Sequence, residues 1–139
     1  MIFLTAAVAA LALQGGGWTW TLYEGDGPVV LANEIPDTPR LNVTLECETG
    51  SGVARVAVYG SGMGPGFATV TAGAESATAE AEAGRDAKLT VALRTDHPVF
   101  SRFVADGAMA LSVGALSRSV EVERSHLAKL RRFAELCGG

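Results

Sequence analysis

In the segment "RLNVTLECE", Leu41, Val43, Leu45 and Cys47 alternate strictly with Asn42, Thr44, Glu46 and Glu48. A period of two puts the first four on one face of a strand and the second four on the other, so Cys47 points into a core. The same period recurs along the chain in short runs bounded by glycine, proline and acidic residues. Trp18, Trp20 and Leu22 alternate with Thr19, Thr21 and Tyr23, and "VVLANE", "VARVAVY", "FATVTAG" and "DAKLTVALRT" follow between the turns "EGDGP", "IPDTPR", "ETGSG" and "GSGMGPG". "ESATAEAEAG" is ambiguous, because alanine favours helix. Its alternation of Ala77, Ala79, Ala81 and Ala83 with Ser76, Thr78, Glu80 and Glu82 has the strand period, and the flanking glycines fit a strand.

The period changes twice. In "DHPVFSRFVADG", Asp96 is expected to cap a short helix with Pro98 in its first turn, and Gly107 to end it. "AMALSV" and "LSRSVEV" then resume the strand pattern. In "SHLAKLRRFAELCGG", Ser125 is the expected cap and Gly138 the expected stop. Leu127, Leu130, Phe133, Ala134 and Cys137 form the apolar stripe between them. Seven or eight short strands with a short internal helix and a C-terminal helix predict a mainly β fold, an antiparallel β-sandwich or barrel. With 139 residues and 48% apolar side chains, residues 15–139 are expected to form one sandwich-like domain.

The first residues, "MIFLTAAVAALALQGGG", read as a secretory signal peptide over 1–14. An uncharged apolar run is followed by Ala-x-Ala patterns and a glycine spacer. The run is shorter than the roughly 20 apolar residues of a spanning helix, so no integral membrane span is expected. The competing reading is a buried first strand or helix of a cytosolic protein. Export makes a bridge between the chain's two cysteines the expected state, because an oxidising compartment favours pairing. Cys47 and Cys137 both point into the core, and joining them ties the last helix to a strand so that the chain end does not fray. Without export the two would be buried free thiols.

The chain carries a net charge of −4, unevenly spread. Residues 24–86 hold ten acidic side chains against Arg40, Arg55 and Arg85, whereas 118–139 is weakly basic. An acidic body argues against a nucleic-acid partner. The loop Gly60–Gly66 lacks the third glycine of a dinucleotide fingerprint, where Pro65 stands, and lacks the Gly-Lys-Ser/Thr of a nucleotide phosphate loop. It reads as a flexible connection that could make contacts. His97 and His126 each stand at a helix start, beside no recognised nucleophile pattern. No catalytic residue, metal site or cofactor is expected. Trp18, Trp20 and Tyr23, joined by Met63 in the glycine-rich loop, are candidates for a contact surface, and core anchors are the alternative.

A tryptophan opening the mature chain, the "L-x-C" strand, "VFSRFVADGAMALSV" and the closing "HLAKLRRFAELC" together resemble small exported proteobacterial proteins. The similarity is to the type VI secretion-associated VasI-like family and the invasion-associated locus B group. The resemblance implies a periplasmic or secreted β-rich domain of a Gram-negative bacterium, with a cysteine pair and a non-enzymatic role toward a protein or envelope component. The alternatives are a small hydrolase with an unrecognised site, and a cytosolic accessory protein with reduced cysteines.

Overall fold

The computed structural model describes residues 17–138, and the expected signal peptide over 1–14 lies outside them. Every alternating run forms a strand. They are β1 (Thr19–Tyr23), β2 (Val29–Glu34), β3 (Leu41–Cys47), β4 (Val53–Tyr59), β5 (Gly66–Ala72), β6 (Glu75–Ala83), β7 (Lys88–Arg94), β8 (Ala108–Val113) and β9 (Leu116–Glu121). Helix α1 (Pro98–Asp106) lies between β7 and β8, and a 3₁₀ turn (Arg124–His126) leads into α2 (Leu127–Cys137). The alanine-rich β6 is a strand, so its period outweighs the helix propensity of alanine. Among the described residues there are nine strands rather than seven or eight, and they form one antiparallel sheet in the order β1-β2-β3-β4-β7-β6-β5-β8-β9. The sheet curls into a half-barrel, as the expected mainly β fold with a short internal helix and a C-terminal helix requires.

The register explains the core. Leu31 stands opposite Leu45, Leu45 opposite Val56, and Val56 opposite Val91, and all four are buried on the inner face. Beyond β7 the inner face continues with Ala68, Val70 and Leu111. Both helices fill the open side of the curl. α1 sets Val99, Phe100 and Phe103 against β5, β6 and β8, and α2 sets Leu130 and Phe133 against β1 and β2.

The two edge strands are joined through side chains. Trp20 of β1 donates its indole N–H to the Glu121 carbonyl at the end of β9, at 3.2 Å. Arg118 of β9 stands opposite buried Leu111 and therefore points inward. Its guanidinium donates to the Tyr59 carbonyl at 3.1 Å and to the Asn42 side-chain oxygen. Asn42 in turn donates to buried Asn33 at 2.8 Å, beside the β2–β3 bulge, and Asn33 donates to the Thr19 carbonyl at 3.2 Å. An inward-pointing charge on an edge strand also discourages edge-to-edge pairing with other chains.

The cysteines form the expected bridge. Cys47 ends β3 and Cys137 ends α2, their Cα atoms are 5.8 Å apart, and both residues are fully buried. The β3–β4 turn reinforces it: Gly50 N–H donates to the Leu136 carbonyl at 2.9 Å and Gly52 N–H to the Cys137 carbonyl at 2.7 Å. Two carbonyls that a helix end ordinarily leaves without partners are thereby satisfied.

Two expected helix caps differ. The cap of α1 is His97, whose Nδ1 accepts from Val99 N–H at 3.0 Å, and not Asp96. The Asp96 carboxylate is drawn away by a two-point ion pair with Arg94, at 2.9 and 2.8 Å. Ser125 caps nothing, because the chain enters α2 through the 3₁₀ turn and no side chain caps Leu127. Gly138 ends α2 as expected, at φ −57°, its N–H donating to the Ala134 carbonyl at 3.0 Å. Gly107 does end α1 as expected, at φ 79°.

Candidate contact surfaces

Of the four residues expected at a contact surface, two are core. Trp20 is 1% exposed and Met63 8%. Trp20 faces Asn33 on the inner side of the sheet, where its indole has an acceptor. Met63 is folded back by a turn in which its N–H donates to the Ser61 hydroxyl at 3.2 Å. Neither can offer a surface to a partner. Trp18 (45% exposed) and Tyr23 (48%) remain accessible. Trp18 precedes β1 and lies under the Arg40 guanidinium, 5.7 Å from the ring centroid, a cation–π contact.

Tyr23 lies on the outer face and donates its hydroxyl to the Glu34 carboxylate. That bond, then partial burial and the nearby Glu34 charge, raise the phenol above its ordinary range. The fold thus favours the protonated phenol, a contribution held at neutral pH and lost as pH rises through the raised value. Tyr23 and Tyr59 are the only tyrosines. In a Tyr59→Phe background, the alkaline absorbance titration of Tyr23 should move to lower pH on Glu34→Ala. An unmoved midpoint would show that the bond does not hold in solution.

A more extensive surface comes from the strand order. On the outer face of β6, β5, β8 and β9, Ser76, Thr71, Ala110 and Ser119 stand side by side in one row. Thr78, Thr69, Ser112 and Ser117 form the next row. Seven of these eight positions carry hydroxyls, all at least partly exposed, and Ser112 donates to Ser117 at 3.2 Å. Phe67 projects beside the second row at 75% exposure, opposite Glu80. Alternation alone shows that Thr69 and Thr71 face outward. It does not bring β8 beside β5, because that pairing crosses over α1 and two intervening strands.

A third feature lies between β6 and β7. Their ladder consists of Glu82 opposite Thr90 and Ala83 opposite Leu89. An open cleft of about 440 Å³ there is lined by Arg55, Thr78, Ala79, Glu80, Glu82, Thr90 and Ala92. Arg124 and Arg131 line a further cleft of about 570 Å³ with Asp106 and Leu127. The two histidines do not meet at any of these surfaces, and the Nδ1 of His97 is occupied by the helix cap. Among the described residues, no group of three or more His, Cys, Asp or Glu side chains could hold a metal ion. No described helix is long and apolar enough to cross a membrane.

No protein-family model, curated protein or solved structure matches the chain.

Proposed function

We propose that this chain is an exported, non-enzymatic binding module of the bacterial envelope or secreted fraction, related in role to the VasI-like and invasion-associated locus B proteins that its sequence resembles. It works in the periplasm or outside the cell, after loss of the leader over 1–14. The observation that carries the reading is the buried Cys47–Cys137 bridge, which joins the last helical residue to a central strand. A bridge of that kind persists in an oxidising compartment and is rare in a reducing one. The hydroxyl rows on β5, β6, β8 and β9, with Phe67 at their margin, are the surface that meets a protein or envelope component. They offer many hydrogen-bonding groups and one accessible aromatic ring.

Site-specific photo-crosslinking tests the assignment. A photoreactive phenylalanine analogue at Thr69 or at Ser119 should give one discrete adduct with an envelope component of the native host. The same group at Arg131, on α2, should give none. No adduct from either sheet position, or identical adducts from all three positions, would refute it.

A further inference from the structure

We propose that the outer face of β5, β6, β8 and β9 binds an extended, uncharged oligosaccharide. The inference rests on the reading that the hydroxyl rows are the contact surface, and it names the chemistry of what they meet. Across the four strands the only cation is Arg118, and it points inward to Tyr59 and Asn42. The rows therefore offer no guanidinium or ammonium to a phosphate or a carboxylate, which argues against anionic lipids, nucleic acids and acidic polysaccharides. They are also a poor match for a protein. Interface cores are rich in aromatic, Met and Arg side chains, and Ser and Thr are under-represented among the residues that carry binding energy. Seven hydroxyls in two neighbouring rows suit a partner whose own polar groups are hydroxyls, because each such group donates and accepts at once.

Features at the two ends of the rows specify a chain of rings over a single sugar. At one end an open cleft of about 250 Å³ has Thr71, Gly73, Ala108, Ala110, Ser119 and Glu121 in its lining. Ala110 stands between Thr71 and Ser119 in the register, so a low floor on β8 is flanked by a hydroxyl on each side. The Glu121 carboxylate is exposed and takes part in no ion pair among the described residues. It offers two acceptor oxygens to neighbouring hydroxyls of one ring. Its main chain is held in place, since its carbonyl accepts from the Trp20 indole at 3.2 Å. Arg102, which packs over Gly73 at the margin, is engaged by Asp106 at 2.6 Å. At the other end Phe67, 75% exposed, presents a ring face on which the C–H face of a sugar can stack. Phe67 and Thr71 lie on one face of β5 with Thr69 between them, about 14 Å apart at the rise of a strand. One ring does not span that distance, and an oligosaccharide does.

Isothermal titration calorimetry of the full, oxidised chain tests the inference, with cellohexaose, laminarihexaose and N-acetylchitohexaose as neutral probes and hexagalacturonate as the charged one. At least one neutral probe should bind saturably, and hexagalacturonate should not. For that neutral probe, Phe67→Ala should weaken binding about fivefold, the loss of one stacked ring. Thr71→Val with Ser119→Ala should weaken it about tenfold, the loss of two hydrogen bonds. All three side chains are exposed, so the fold does not depend on them. Leu116→Ala removes a half-exposed apolar side chain from the Arg118 side of β9 and should leave binding unchanged. Amide NMR shifts on binding should fall in β5, β8 and β9 and not in β1 or β2. Binding of none of the neutral probes, equal binding of hexagalacturonate, indifference to Phe67→Ala, or an equal loss from Leu116→Ala would each overturn the proposal. A protein adduct from Thr69 with no binding of any neutral probe would overturn this inference and leave the contact-surface reading standing.

Discussion

Replacing Cys47 and Cys137 together by alanine should lower the unfolding free energy by about 4–5 kcal/mol, the loop-closure value for a tie of this span. The bridge closes a loop of 90 residues, from the end of β3 to the end of α2. The unfolded chain, freed of that tie, gains most of the entropy at issue. A loss of this size should lower Tm by on the order of 10–20 °C. The fold should survive at low temperature, because α2 keeps its buried Leu130 and Phe133 and its main-chain bonds to Gly50 and Gly52. Thermal unfolding of the oxidised protein, the reduced protein and the double variant measures the effect. A change of less than about 1 kcal/mol would mean that the bridge does not constrain the unfolded ensemble.

Gly107→Ala should be nearly as damaging, at about 3–5 kcal/mol. Gly107 ends α1 at φ +79°, where an L side chain is strained. An added Cβ would also lie 2.5 Å from the Val122 carbonyl oxygen and 2.8 Å from Leu127 Cδ2. The backbone cannot yield easily, because Gly107 N–H donates to Phe103 and its carbonyl accepts from Val122 N–H at 2.7 Å. Gly114→Ala is the control. It has φ +58° with nothing within 4 Å of the added carbon, so only the conformational cost of about 1–2 kcal/mol applies. Denaturant unfolding of the two variants separates steric crowding from backbone preference, and equal losses would contradict the crowding.

Where one face of a strand is plainly apolar, the sequence is a sufficient guide. The alternation around Cys47 and the even spacing of β6 place their side chains correctly, and the helical stripe ending at Cys137 meets the strand that carries Cys47. Gly107 is legible because a glycine after a short apolar helix has one common use. Trp20 and Met63 are not legible in the same way, since an aromatic or thioether side chain suits a core and a contact surface equally. Their placement depends on acceptors and neighbours more than 40 residues away or on a loop's turn. Caps fail for a local reason: Asp96 has the right chemistry, but Arg94 competes for it.

The candidate surfaces were the least visible part of the chain. Thr69, Thr78, Ser112 and Ser117 are ordinary outward residues taken singly, and become a row only when β8 lies beside β5. The cleft beside Glu80 and Glu82 depends on β4, β6 and β7 lying side by side, which alternation does not encode. Arg118 looks like a solvated charge in "LSRSVEV", yet it reaches inward to Tyr59 and Asn42 and helps hold the curl closed.

The most direct test of the central claim is the intact mass of the protein purified from its native host, alkylated with and without prior reduction. An exported, bridged module should have lost its first 12 to 17 residues, and neither cysteine should react until reductant is added. A full-length chain with two freely alkylated thiols would contradict both the export and the bridge on which the account rests.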